Sequence, residues 1–224
     1  PHAGRPTVRA AAPLSMDWDF TGLPVAQRYK LLVALVIPRP IAFVSTRSPE
    51  GVDNAAPFSF FNVMGEEPPI VVLSMDRRAD GSRKDSARNI LAMREFVANM
   101  VDEPLLERMH RCSIAFPPEV SEFAETGLTP VAANRVGAPR IAESPVSLEC
   151  RLHTHLPFAQ RDLFVGEILW AHVRDGLVDP STLRVVPEYA PVGRLYANMY
   201  AFTHERVALD PNAYVQEMRQ RGRA

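Results

Sequence analysis

Short apolar, β-branched runs, with few stretches of crossover-helix length between them, set the narrowest limit on what this chain can become. Residues 41–46 and 70–75 are such runs, bounded by Pro, Asn and Gly as buried strands are. Residues 96–101 have the same character. Val146, Leu148, Cys150 and Leu152 alternate with Ser147, Glu149, Arg151 and His153, the period of two that marks a strand with one buried face. Residues 163–173 place Phe164, Ile168 and Trp170 on one side, and residues 198–203 read as the last strand. Parallel strands need crossovers of about a dozen residues or more. Helical period is confined to residues 25–32 after Pro24, to 86–94 with Ala87, Ile90 and Leu91 on one face, and to short pieces at 104–110 and 119–125. Ser82 and Asp85 stand in the spacing of a capping box ahead of the second of these helices. The predicted class is therefore mainly β: an antiparallel β-barrel with appended helices. The 21 prolines in 224 residues, roughly twice the usual share, suit many short elements joined by turns.

Charge and composition remove several function classes. There are 25 basic and 26 acidic residues, a formal net charge of -1, so no field for a polyanion is visible and nucleic acid is not an expected partner. The longest apolar runs, at 31–37 and 70–73, fall far short of the roughly 20 residues that cross a bilayer, so no membrane partner is expected either. Cys112 and Cys150 stand far apart without paired neighbours, which points to a reducing, cytoplasmic compartment and away from thiolate zinc. His153 and His155 could share a metal, but no neighbouring carboxylate or thiol completes a ligand set, so no metal is expected. G-x-G, G-K-[ST], G-x-S-x-G and H-E-x-x-H are all absent. Residues 1–15 read as a loose arm, 16–210 as one domain, and 211–224 as a basic, frayed tail.

Polar and turn residues concentrate over 38–89. A strand ends in the hydroxyls of Ser45 and Thr46, Asn54 follows, and Ala55 to Asn62 spell A-A-P-F-S-F-F-N. Ser82 to Ser86, S-R-K-D-S, then open a helix. Lys84 supplies charge, Ser82 and Ser86 supply hydroxyls, and the helix start supplies outward amides at the positive end of its dipole. That is the chemistry of a phosphate site. An extended stretch flanked by Pro57, Ser59, Phe60 and Phe61 would offer backbone groups to the edge of a flat heterocycle. The alternative for each residue is structural: Lys84 and Arg88 as a solvated helix face, Ser82 as a cap, the phenylalanines as core.

Taken in order, P-R-P-I-A-F-V-S-T (38–46), G-V-D-N-A-A-P-F-S-F-F-N (51–62), E-P-P-I-V-V-L-S (67–74), K-D-S-A-R-N-I (84–90) and E-F-V-A-N-M-V (95–101) resemble the flavin reductase-like proteins with the FMN-binding split barrel. The resemblance continues at F-V-G-E-I-L-W-A-H-V (164–173) and V-G-R-L-Y-A (192–197), and spans about residues 24–207. Phe43 stands where many relatives carry Trp. Leu195, Tyr196 and Ala197 replace a common L-G-G, which implies a tighter C-terminal wall.

What the resemblance implies is a homodimer with FMN in a groove between subunits. Ser45, Thr46, Asn54, Ala55, Ala56, Pro57, Ser59, Phe60, Phe61 and Asn62 would line the flavin and its ribityl chain, and Ser82, Lys84, Asp85 and Ser86 would surround the phosphate. An anion at Asp85 repels phosphate, so Asp85 is expected to cap the helix or to fix Lys84. His155 and Phe158, in a loop before the 163–173 strand, and Tyr196 are candidates for the ring pocket or a subunit contact, with a structural role as the alternative. The implied activity is an NAD(P)H-dependent flavin reductase that passes hydride from NADH or NADPH to flavin N5, with no catalytic side chain required. An oxygenase or other redox partner would take the electrons. One alternative is a flavoredoxin-like FMN carrier reduced by a partner protein; another is a barrel that has lost flavin and serves as a structural module.

Overall fold

A computed structural model of the protein describes residues 16–221, so the arm read over residues 1–15 lies outside the described residues. In chain order the elements are α1 (Val25–Leu35), β1 (Arg39–Pro40), β2 (Ala42–Arg47), β3 (Asp53–Phe58), β4 (Phe61–Glu66), β5 (Pro69–Asp76), α2 (Asp85–Met93) and β6 (Glu95–Asn99). A 3-10 turn at Glu103–Leu105 leads into α3 (Leu106–Arg111), followed by α4 (Glu122–Thr126), β7 (Pro130–Val131) and β8 (Arg140–Ile141). The long strands β9 (Val146–Pro157) and β10 (Arg161–Val173) come next, then β11 (Val178–Asp179), β12 (Arg184–Val185), β13 (Val192–Arg194), β14 (Tyr200–Phe202) and α5 (Pro211–Gln220).

Seven strands form one sheet in the order β3-β2-β6-β9-β10-β5-β4, and every neighbouring pair is antiparallel. The two end strands are consecutive in the chain and separated only by Ser59 and Phe60, so the sheet's ends are brought together and it curls into a barrel. The Ser74 amide donates to the Phe60 carbonyl at 2.8 Å, extending the β5 side of the seam to the turn. Ala42, Val44, Phe58, Phe61, Leu73, Phe96 and Phe164 fill the interior. A second core, built on Ile41, Phe43, Ala55, Leu105, Met109, Phe123 and Val192, joins the outer face of β2 to α3, α4 and β13. Being covered on both faces, β2 is buried from Ala42 to Thr46, apolar in its first half and hydroxyl-bearing in its second. Phe43 is fully buried in this outer core. Asn99 ties the layers together: its amide nitrogen donates to the Phe43 carbonyl and Ser45 Oγ, both at 2.9 Å, while its oxygen accepts from Ser147 Oγ at 2.8 Å and the Ile141 amide at 3.2 Å.

The predicted antiparallel barrel with appended helices is the fold observed, and each predicted strand has a counterpart in β2, β5, β6, β9, β10 and β14. β3 and β4 were legible only as an extended polar stretch. Pro57 obscured β3, and it is tolerated because β3 is an end strand that needs no donor on its free side. The capping box does not form: Lys84 occupies the N-cap without a side-chain cap, and the Ser82 amide instead donates to Asp80 Oδ1 at 2.8 Å. The segment read as a frayed tail is helical over Pro211–Gln220, with Asp210 accepting from the Asn212 amide at its start. α1 runs one turn further than its sequence pattern and buries only Val33. No helix among the described residues is long and apolar enough to cross a membrane.

Gly166 marks a bulge in β10 where the chain crosses the Phe96 ring. A Cβ there would lie 2.5 Å from Phe96 Cζ and 2.8 Å from Cε1, and Phe96 is fully buried. Gly166→Ala is expected to destabilise the fold by about 1–3 kcal/mol, the usual cost of overpacking, read as a lower urea midpoint with an unchanged m-value.

Candidate functional site

A cavity of about 670 Å³ opens where α1, the β3–β4 turn, the end of β5, the start of α2 and the β13–β14 hairpin converge. Its size is that of a small-molecule site. Lys30, Arg39, Lys84, Arg161 and Arg194 line it against a single carboxylate, Asp76, so its field is strongly positive although the chain is nearly neutral. Tyr29, Phe58, Phe60, Tyr196 and Tyr200 supply flat surface.

Phe60 is the centre of the aromatic wall. The Arg161 guanidinium lies 4.4 Å from its ring centroid and the Arg39 guanidinium 6.0 Å, with the Tyr29 ring at 6.3 Å. Arg161 is held by the Ser74 hydroxyl at 3.2 Å and carbonyl at 3.3 Å. Arg39 is buried, and it donates to the carbonyls of Val33 (2.7 Å), Val36 (2.8 Å) and Leu195 (2.7 Å). It thereby closes the C-terminal end of α1, whose last carbonyls have no partner within the helix. Arg194 bonds the Tyr200 hydroxyl and the Ala197 carbonyl.

At the other end of the cavity, Lys84 Nζ lies 2.7 Å from Asp76 Oδ1 and 5.8 Å from the Phe58 ring centroid. The first bond of α2 runs from the Arg88 amide to the Lys84 carbonyl, so the amides of Asp85, Ser86 and Ala87 precede the helical ladder. Asp85 neither caps α2 nor fixes Lys84. Its carboxylate pairs with Arg78 at 2.5 Å and with Arg88, which spends its charge away from the cavity.

Of the residues singled out in the sequence, Pro57, Ser59, Phe60, Lys84 and Tyr196 line the cavity. Ser45, Thr46, Asn54, Ala55 and Ser86 are buried behind its wall, and Phe61 belongs to the barrel interior with Ala56 packed against it. Ser45 Oγ donates to the Pro139 carbonyl at 2.5 Å. Asn62 is exposed, its side chain turned to the Val63 amide, and Ser82 is exposed in a turn. His155 lies within β9 rather than in a loop, stacked on Phe164 at 5.0 Å and bonded to Asp162. Phe158 is exposed in the β9–β10 turn. Sequence reasoning missed Tyr29, Arg39, Ser74, Asp76, Arg161 and Arg194. Arg39, Ser74 and Arg194 lay within the quoted motifs; Tyr29 and Arg161 had no local signal.

A family described as flavin reductase like domain matches residues 34–192. The chain is 38% identical to the solved 2-nitrobenzoate 2-nitroreductase of Pseudomonas fluorescens, with a TM-score of 0.80 over 87% of this chain and 95% of that one. It is 31% identical to nitrilotriacetate monooxygenase component B of Bacillus cereus, with a TM-score of 0.84 over 88% of this chain and 100% of that one. A curated protein of Aquifex aeolicus is 45% identical, covering 77% of this chain and 88% of its own. The chain belongs to the flavin reductase-like family, and its barrel is the split barrel of that family.

Beside the cavity, Asp162 gathers several donors. It is almost wholly buried and accepts from Arg83 Nε and Nη2, both at 3.1 Å, from Arg77 at 3.4 Å and from His155 Nε2 at 2.7 Å. Burial alone would raise its pKa; the bonds from Arg83 and His155 and the charges of Arg83 and Arg77 outweigh burial and hold the carboxyl below its ordinary value. A carboxyl with a depressed folded pKa stabilises fully above its unfolded pKa of about 3.9, and this contribution disappears as pH falls through the folded value. Urea midpoints of the wild type are therefore expected to drop below about pH 4 more steeply than those of Asp162→Asn, which lacks the titrating group. Parallel acid profiles of the two proteins would contradict this.

Proposed function

We propose that the protein is an FMN-binding oxidoreductase acting as an NAD(P)H-dependent flavin reductase. The observation that carries the reading is a cavity with a lysine and a helix N-terminus at one end and an aromatic–guanidinium wall at the other. A phosphate suits the first end, because Arg78 and Arg88 neutralise Asp85 and leave the free amides of α2 to donate, with Lys84 beside them held by Asp76, a pairing a phosphate would compete for. A flat heterocycle suits the second, where Phe60 and Arg161 present π surface and charge and the chain at Ser59 and Phe60 presents backbone groups. When bound, the flavin supplies hydride acceptance at N5.

The protein's part is to bind, orient and shield. Arg161 and Arg39 place positive charge beside the ring wall, where donors stabilise negative charge on a reduced heterocycle. Asp76 is the single carboxylate in the lining and is engaged by Lys84, which accords with hydride chemistry that needs no side-chain acid or base. NADH or NADPH would enter from the open side and stack on the ring. A second copy of the chain would cover α1, whose Val25, Tyr29, Leu32 and Leu35 are exposed, giving a homodimer. Both cysteines are free and buried, as suits a cytoplasmic protein. The similarity to a monooxygenase component B and to a nitroreductase supports delivery of the electrons to an oxygenase partner or a small acceptor.

The visible spectrum tests the reading. Protein mixed with FMN and gel-filtered is expected to be yellow and to bleach anaerobically on adding NADH or NADPH. Yellow protein that does not bleach would instead be a carrier reduced by another protein, and colourless protein would sink flavin binding altogether. Lys84→Ala is expected to weaken FMN binding by about 1.5 kcal/mol, the low end for a charge-assisted bond because Lys84 is partly solvated. An unchanged dissociation constant in a fluorescence titration would remove Lys84 from the site.

A further inference from the structure

Behind the cavity wall lies a buried carboxylate that no part of the proposed chemistry uses. Glu122, the first residue of α4, is 5% exposed, and among the described residues it is paired with no cation. Its donors are amides. Both oxygens accept from Asn54 Nδ2 at 2.8 Å, and Oε2 also accepts from the Ala55 amide at 3.1 Å. The neighbouring Ser121 hydroxyl donates to the Asp53 carbonyl at 2.6 Å, so α4 is latched along successive residues of β3.

Because a carboxylate only accepts, it dictates which way the Asn54 amide faces. Asn54 must turn its nitrogen to Glu122 and its oxygen to α2, where Oδ1 accepts from Ser86 Oγ at 2.8 Å and from Thr46 Oγ1 at 3.3 Å. Thr46 Oγ1 in turn accepts from Asn89 Nδ2 at 3.0 Å, one turn further along α2. A single anion thus fixes β3, which runs into the aromatic wall, and the first turn of α2, which presents Lys84 and its amides. Burial is the largest influence on the Glu122 pKa and pushes it up. An unpaired buried charge is costly unless it is fully hydrogen-bonded.

We propose that Glu122 is a positioning residue of the flavin site, which sets the Asn54 amide and through it holds the first turn of α2 in register with the phosphate. The inference rests on the flavin reading above. Hydrogen bonds to phosphate weaken steeply when donors move off line, and the helix dipole acts mainly within its first turn. Thr46, Asn54 and Ser86 then serve the ligand from behind.

Riboflavin, which lacks the phosphate, separates this role from a general loss of structure. Glu122→Gln keeps the volume and one acceptor, which can still serve the Ala55 amide, but sets an NH₂ donor against Asn54 Nδ2 at the other oxygen position, so the orientation of the Asn54 amide is no longer fixed. The FMN dissociation constant is expected to rise about tenfold, of the order of one charge-assisted bond, while that of riboflavin stays within about twofold. Should Glu122→Gln fail to fold, Ser86→Ala cuts the same chain of bonds and is expected to show the same selective loss. Where both fold, the double variant is expected to lose no more than the larger single loss, because the two act in one relay. Equal losses for FMN and riboflavin, additive losses, or wild-type affinity in the variants would overturn the proposal while leaving flavin binding intact. Wild-type protein that binds neither flavin would overturn the flavin reading and this inference together.

Discussion

The sheet begins and ends on strands that follow one another in the chain, and only Ser59 and Phe60 separate them. This closure constrains everything else. A seven-stranded antiparallel sheet with free ends would expose two rows of unpaired backbone groups; joining β3 to β4 brings those ends to one place. Residues at such a seam are not consumed by the ladder on both sides, so their backbone groups and side chains remain available. Phe60 is therefore displayed to the cavity with Arg161 and Arg39 around it, while Phe61 is drawn into the interior and Phe58 packs in the interior with an edge on the cavity. The barrel and the ring wall are one piece of geometry.

Electrostatics completes the arrangement. A chain with almost equal numbers of acids and bases presents a cavity with five cationic residues and one carboxylate, because the other nearby acids are directed elsewhere. Asp85 is engaged by Arg78 and Arg88, and Asp162 by Arg83, Arg77 and His155. The partly exposed Asp85 pairs contribute little to stability on their own, unlike the buried Asp162 cluster. Their effect is to leave Asp76 as the one carboxylate on the surface that Lys84 and the start of α2 present.

Much of this was legible in the residues. Strands covered on one or both faces announce themselves by alternation or by apolar runs, so β2, β5, β9 and β10 were found. β3 was not recognised as a strand because Pro57 breaks the pattern, and only its place at the sheet's end makes proline acceptable there. Lys84, Ser59 and Phe60 were found by chemical type. Thr46 as a strand-end hydroxyl, Asn54 after it and Ser86 at the helix start were also picked out, but local sequence does not reveal which way a polar side chain points. Their partner, Glu122, is 68 residues from Asn54 along the chain. Arg161 and Tyr29 reach the cavity only through long-range packing, which no window of sequence contains. Arg39 stood inside a recognised motif, yet its three carbonyl partners come from segments up to 156 residues away.

The reach of Arg39 has a mechanical consequence. α1 has little core of its own, and the segment after β13 is largely exposed, yet both are fastened to β1 by the same guanidinium. Loss of that one side chain would therefore release two lips of the rim together, the end of the helix and the stretch past Arg194, with only the β1–β13 pairing left to hold the second.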